Sequence, residues 1–540
     1  MRPVSSTLAA LVPGLAACAA FLVVPRAAAQ THVLFEVDGT RPNQHFGYSV
    51  AAAGDVNGDG TPDLLVGEID LGGLPPAPHA LRILSGVDGS LLFDPFPANC
   101  KDGADVAGLG DIDGDGVSDV VFGLPWGGTF EVRSGATGAL IFSDGGVCSF
   151  FGFAVNAAGD VNADGTPDVV VGSGVGGFWD YGGDVLRVYS GTDGSLLHEI
   201  NEYNPTWWPQ SIGFSVAGLG DVNGDGFGDI ASGRPLNGQG WLAGSVLIYS
   251  GADFSVIDGV GAPTPNTGLG WVVANVGDFD GDGVDDFAAT THWAEDFAAV
   301  YSGATRDTLL FIDDLPLEPH SNVDIDGLGD IDGDGHRDLV VGGVGAVLFY
   351  SGDDGKLLMR HALPVDSSAY GPNNYVAVAA AGDLDGDGRD DVIAGDHRDD
   401  GGAIDAGRIL VISSKPEPWT DLGFALAGGG TPPSLSGAGT LAAGSPGFVR
   451  LLDAPPSAPG ILFVGLTALQ SPFKGGTLVP APTIVLNLTS SPSGSFLLAW
   501  SHWPAGLPGF FHLWFQAWIA DPAAPAGAAA SNALLATTPA

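Results

Sequence analysis

Seven copies of one acidic loop, D-x-[DN]-x-D-G-x-x-D, constrain this chain more than any other feature of its sequence. They begin at Asp55, Asp111, Asp160, Asp221, Asp278, Asp330 and Asp383, spaced 49 to 61 residues apart. Around each loop the order is the same: an apolar stretch, a Gly, the loop, a short apolar run such as Leu64-Leu65-Val66-Gly67, a third run such as Leu186-Arg187-Val188-Tyr189-Ser190-Gly191, and a fourth after a turn, as in Gly194-Ser195-Leu196-Leu197. Four short strands per unit of about fifty residues predict one antiparallel blade of a β-propeller. The seventh unit has a third strand at Arg408-Ile409-Leu410-Val411-Ile412 and then turns Pro-rich, while Val33-Leu34-Phe35-Glu36-Val37 precedes the first unit and resembles a fourth strand. The expectation is a seven-bladed ring over residues 30–415, closed by the N-terminal strand so that no sheet edge is left free.

Composition agrees with short strands and turns. The 540 residues include 86 Gly and 38 Pro but only 18 Lys and Arg, which leaves little material for charged helices. The first 29 residues read as an export signal: Arg2, an apolar run from Leu8 to Val24, and Ala27-Ala28-Ala29 before Gln30. A lipoprotein reading, with Leu15-Ala16-Ala17-Cys18 as the cleavage box, is the alternative. Removing Arg2 and Arg26 takes the formal charge from −45 to −47. So acidic a chain is excluded as an electrostatic binder of nucleic acid and is a poor match for an anionic membrane. Cys100 and Cys148 precede successive loops, and either a disulfide between neighbouring blades or two thiols is open.

The chemistry lies in the loops. The candidate metal ligands, at positions one, three, five, seven and nine, are Asp55, Asn57, Asp59, Thr61 and Asp63 in the first loop; Asp111, Asp113, Asp115, Val117 and Asp119 in the second; Asp160, Asn162, Asp164, Thr166 and Asp168 in the third. The fourth offers Asp221, Asn223, Asp225, Phe227 and Asp229, and the fifth Asp278, Asp280, Asp282, Val284 and Asp286. The sixth and seventh offer Asp330, Asp332, Asp334, His336 and Asp338, and Asp383, Asp385, Asp387, Arg389 and Asp391. Calcium takes six to eight oxygen ligands, and alternating carboxylates converge on one point while the Gly at position six makes the turn. Position seven varies freely, as a backbone carbonyl ligand would allow. Up to seven Ca2+ ions, one per blade, are expected. An EF-hand is excluded, because position twelve is Val66, Phe122, Val171, Ser232, Ala289, Val341 or Ala394 where that motif needs Glu. Ordinary acidic turns would explain one such loop, but not seven at blade spacing.

These loops, with Phe46-Gly47, Phe151-Gly152, the reordered Gly213-Phe214 and the variant Gly270-Trp271, resemble the FG-GAP repeat family, the propeller of integrin α subunits and of many exported bacterial proteins. Gly182-Gly183-Asp184-Val185 and Ala243-Gly244-Ser245-Val246 resemble the family's second element. The likeness covers residues 33–414. It implies loops that bind calcium on one face of the disc and stiffen the blades; it does not carry integrin ligand binding.

Residues 416–540 read as a separate small β-sandwich-like domain. Its strands are exemplified by Phe448-Val449-Arg450-Leu451-Leu452 and Ser495-Phe496-Leu497-Leu498-Ala499-Trp500, and its Ala-rich tail after Asp521 reads as disordered. Trp419, Trp500, Trp503, Trp514 and Trp518 fit either a core or, if exposed, a sugar-stacking surface. No H-E-x-x-H, G-x-S-x-G or Cys nucleophile is present, so no catalytic residue is assigned and the chain is read as a non-enzyme. The functional expectation is a secreted or cell-surface monomer acting as an extracellular binding, adhesion or scaffold module for a protein or glycan. A propeller lectin, using Trp126, Trp179, Trp207 or Trp241, and a calcium-dependent polysaccharide lyase are the alternatives.

Overall fold

The structure is a computed structural model. It describes residues 31–69, 81–93, 105–145, 150–174, 184–202, 211–236, 243–262, 264, 267–292, 297–313, 315, 323–363, 376–400, 403–415, 419–428, 431–505, 507 and 511–538. The export segment, Cys100, Cys148, Trp179, Trp207 and Trp241 lie outside them.

The architecture is all-β. The only helical elements among the described residues are 3-10 turns at Pro125–Gly127 and Pro525–Gly527. The chain divides into two compact bodies, one holding residues 33–356 and 361–414 and the other residues 415–540 together with His32 and Leu357–Arg360.

The larger body contains seven four-stranded sheets. In the first, Val50–Gly54, Asp63–Gly67, Leu81–Leu84 and Leu91–Phe93 follow one another in both sequence and space, and the next five sheets repeat that order. The seventh is ordered His32–Asp38, Arg408–Ser413, Asp391–Asp396, Ala377–Gly382, so its outer strand comes from the start of the chain. The innermost strands touch in a circuit: Val50–Gly54 lies against Val106–Gly110, that against Ala154–Gly159, and so on through Ser215–Gly220, Val273–Gly277 and Asp324–Leu328 to Ala377–Gly382, which returns to Val50–Gly54.

This arrangement explains why the second strand of each unit is apolar throughout. Side chains alternate across a strand, and here both faces are buried. In Asp63–Gly67, Leu65 packs with Leu81 of its own sheet and with Val106, Val120 and Phe122 of the following one, while Leu64 and Val66 pack with Ala377, Ile393 and Val411 of the seventh. Each second strand thus feeds two cores, and each fully buried Leu or Val contributes about 1.5–3 kcal/mol. Outer strands face solvent on one side and alternate accordingly, as in Val256–Gly261.

Polar groups join the innermost strands. Asp105 accepts Val155 N–H at 2.9 Å, Asp324 accepts Val378 N–H at 2.8 Å, and Asp326 accepts Ala380 N–H at 2.9 Å, each while capping the amide that follows it in its own strand. Asn156 and Asn275 donate their side-chain amides to Val216 O and Gly218 O in the same fashion. Burial pushes the carboxyls up, to about 7 for Asp105 and Asp324 and about 6 for Asp326.

The smaller body pairs a sheet ordered Trp419–Gly423, Ala533–Thr537, His512–Ala520, Pro459–Gly465, Ile484–Thr489 with a three-stranded sheet of Ser434–Ala438, Gly447–Leu452 and Phe496–Trp500. One expectation fails here, and of the two readings of the tryptophans one is excluded. The Ala-rich tail is not disordered: Ala533–Thr537 runs between Trp419–Gly423 and His512–Ala520 with every residue buried. Its uncharged side chains let it lie in the interior, where Leu535 pairs with Trp514. Nor do the tryptophans form a sugar platform, since Trp500, Trp503, Trp514 and Trp518 are all under 9 % exposed and the half-buried Trp419 packs on Trp500 and Phe515.

Candidate metal centres

All seven loops lie at the same end of their sheets, between the innermost and second strands, and share one hydrogen-bond frame. In the first, Asp55 Oδ1 accepts Gly58 N–H (2.7 Å) and Asp59 N–H (3.0 Å), and Oδ2 accepts Gly60 N–H (2.9 Å). Asn57 Oδ1 accepts Asp59 N–H and Asp59 Oδ1 accepts Thr61 N–H. The chain therefore winds around the position-one carboxylate, and that winding needs a left-handed residue at position six. There φ is 92° at Gly60 and 88° to 95° at its six counterparts, where an L side chain is strained.

Position nine does something the motif alone does not reveal. Asp63 is fully buried; its Oδ2 accepts Val56 N–H (2.9 Å) and Asn57 N–H (3.2 Å), and its Oδ1 accepts Gly86 N–H (3.1 Å) at the end of the third strand. Asp119, Asp168, Asp229, Asp286 and Asp338 make the equivalent bond to Gly135, Gly191, Gly251, Gly303 and Gly352. The partner must be Gly because a Cβ on Gly191 would stand 1.9 Å from Pro167 O. Only the seventh unit departs, with Ser414 N–H reaching Asp391 at 3.3 Å. Position nine is thus a staple between loop and blade. An ionised carboxylate has about four acceptor sites, so three amides leave room for a cation. Burial pushes all seven of these carboxyls up, to about 6 for Asp168 and Asp391 and about 7 for Asp338, against the backbone amides that pull them down.

Three carboxylates converge in each loop with Asp at position three. Ligand atoms of Asp111, Asp113 and Asp115, of Asp278, Asp280 and Asp282, of Asp330, Asp332 and Asp338, and of Asp383, Asp385 and Asp391 lie within 4.8 Å of one another. At that separation each charged pair repels by about 1 kcal/mol in water and about 3 kcal/mol at an effective dielectric of 20. An oxygen-rich, acidic, Gly-turned site of this kind suits a hard divalent ion. In the loops with Asn at position three the amide joins the cluster, Asn162 and Asn223 donating to Asp164 and Asp225 at 3.0 Å.

Two features around the loops escaped sequence reasoning. Position eight reaches the neighbouring sheet: the Gly before five loops meets Ser118, Pro167, Asp285, Arg337 or Asp390 of the next unit, Gly382 of the seventh meets Pro62 of the first, and in the fourth loop Gly228 N–H donates to Asp160 O of the third at 2.8 Å. In three units the Ser at the end of the third strand also approaches the acids, the Ser250, Ser351 and Ser413 hydroxyls donating to Asp225, Asp334 and Asp385 at 3.2 to 3.3 Å.

At the opposite end of the sheets the Phe-Gly elements turn into the innermost strands. Gly47 and Tyr48 N–H cap Gly67 O, and Gly152 and Phe153 N–H cap Gly172 O. The residue after or within each element is aromatic and touches its neighbour: Phe153 to Phe214 at 5.3 Å, Phe214 to Trp271 at 4.6 Å, and Trp271 stacked on His292 at 3.8 Å. Trp126 is 56 % exposed and meets Phe150 edge-on.

Comparison with known proteins agrees with this geometry. The FG-GAP repeat matches residues 46–68 and the FG-GAP-like repeat matches residues 330–394. Integrin alpha-E of Mus musculus is 33 % identical over 126 residues, 20 % of this chain and 11 % of that protein. Integrin alpha-4 of Xenopus laevis is 34 % identical over 108 residues, 19 % of this chain and 10 % of that protein. The chain thus covers about a tenth of the length of these relatives. A solved structure of BBS1N in complex with ARL6DN aligns over 72 % of this chain and 97 % of its own, at 11 % identity and a TM-score of 0.46. Over these stretches the chain carries FG-GAP repeats and is similar to integrin alpha chains. No helix among the described residues is long and apolar enough to cross a membrane.

Proposed function

We propose that the seven sheets are the blades of one β-propeller, closed by His32–Asp38, whose loops bind Ca2+ on one face while the other face presents a binding surface to an extracellular protein or glycan. The observation that carries the reading is the common hydrogen-bond frame of the loops together with the circuit of innermost strands. Calcium supplies the charge that lets clustered carboxylates coexist. The chain's own residues wind the loop around position one, staple it through position nine and latch it to the next blade through position eight. The aromatic row from Phe153 to His292 lies at the far end of the blades from that charge, where rings stack on an apolar or sugar partner. The protein is a secreted or cell-surface module, without catalysis of its own, and a monomer.

Metal analysis of the mature chain, freed of loosely held ions, should find several calcium ions, and EGTA should lower the melting temperature. Fewer than about three ions per chain and an unmoved transition would sink the calcium reading. A glycan and polysaccharide array with parallel assay for cleavage products tests the rest: binding lost on Trp271→Ala supports the aromatic row, whereas unsaturated products would make the protein a lyase.

A further inference from the structure

Loop seven carries a cation of its own. Position seven of the other loops is Thr61, Val117, Thr166, Phe227, Val284 or His336, whereas here it is Arg389. Its guanidinium folds back: Nη1 lies 3.4 Å from Asp387 Oδ2, the position-five carboxylate of the same loop, and Nε–H donates to Ile331 O of the sixth loop at 2.9 Å. The side chains are well covered, at 21 % exposure for Arg389 and 8 % for Asp387. Asp387 Oδ1 already accepts Arg389 N–H, so both of its oxygens are engaged by one residue. His336 of loop six instead points away from its loop, 4.0 Å from Asp353.

The converging carboxylates differ between loops. In loops two and five, positions one, three and five converge; in loop seven the converging set is Asp383, Asp385 and Asp391, without Asp387. Loop six also converges at positions one, three and nine, but there Asp334 accepts a neutral Ser351 hydroxyl, which a metal ion does not have to expel. The staple is weakest in the same unit, Ser414 replacing the usual Gly at 3.3 Å.

We propose that the Arg389 guanidinium occupies loop seven in place of calcium, making it the one loop of the seven that does not fill at the free calcium concentration saturating the others. This rests on the calcium reading above. A tethered charge offsets one of the four carboxylates at the loop's ligand positions, that of Asp387, without a bound ion, and it does so in the sheet that the chain's first strand completes.

The test is calcium stoichiometry of the full mature chain by equilibrium dialysis, with folding checked by near-ultraviolet circular dichroism. Arg389→Met should plateau one ion above wild type. The reciprocal Val284→Arg, which installs a guanidinium at the same place in loop five, should plateau one ion below. Because Arg389→Met also removes the bond to Ile331 O and so risks misfolding, the reciprocal variant decides alone if needed. Equal plateaus for wild type and a folded Arg389→Met, or for wild type and Val284→Arg, would overturn the inference while leaving calcium binding intact. A wild type that binds no calcium would remove the reading beneath it.

Discussion

Asp286→Ala, measured without metal, separates the two roles that position nine combines. The carboxylate is fully buried and accepts Phe279 N–H at 2.8 Å, Asp280 N–H at 3.2 Å and Gly303 N–H at 2.8 Å. Asp280 is exposed, so water replaces the lost partner there, but Phe279 and Gly303 are buried and their amides would be orphaned. Each orphaned buried donor costs about 1–3 kcal/mol, which sets the loss at roughly 2–6 kcal/mol. Taking the middle of that range, a body of this size would melt roughly 5 °C lower. Asp278→Ala is the control: its partners Gly281 and Gly283 are solvent-exposed, so the metal-free cost should stay below about 1 kcal/mol. Both variants would be unfolded with urea in EGTA and again in calcium. If Asp286→Ala in EGTA cost no more than Asp278→Ala, the staple would be wrong and position nine would matter only through the metal.

Three further outcomes follow from the same geometry. In EGTA the melting temperature should fall as pH rises from about 4 to about 7, because Asp105, Asp324 and Asp326 hold protons more tightly folded than unfolded, and that stabilisation is lost as pH passes their folded pKa values. Asp324→Asn should flatten the profile, and an unchanged slope would assign it to general charge repulsion. Gly191→Ala places a Cβ 1.9 Å from Pro167 O and should cost about 1–3 kcal/mol or more by denaturant titration; a neutral result would mean that the third-strand turn is loosely held. Trp500→Ala should destabilise the smaller body by about 3–5 kcal/mol, as loss of a core residue does, and leave glycan binding unchanged.

The loops and the four-strand rhythm were legible because both are local. A left-handed Gly at position six and a short apolar run after position nine leave marks within a dozen residues. The inner bridges were not legible: Asp324 and Asp326 sit in a strand, and Asp105 just ahead of one, as ordinary polar residues, and only the return of a neighbouring strand shows that each accepts an amide fifty or more positions away. Position eight failed for the same reason, its partner lying in another unit. Position seven was read as free because any residue supplies a carbonyl, which hid the one side chain there that folds back on the acids. In the smaller body, composition misled in one respect: alanine suggested disorder, yet the sheet uses it as thin filler beside the tryptophans, whose place in the core was one of the two readings their residue type left open.

The pairing of His32–Asp38 with Arg408–Ser413 has a consequence in time. The strand made first is the strand used last, and at ~5–20 residues per second it waits for roughly 20–75 s of synthesis before its partner exists. Throughout that interval it is a bare edge, open to pairing with any other extended chain. Its sequence, HVLFEVD, carries Glu36 and Asp38 among the apolar residues. Those two charges cost little in the finished sheet, where Glu36 and Asp38 are exposed, and they discourage premature partners while the remaining strands arrive.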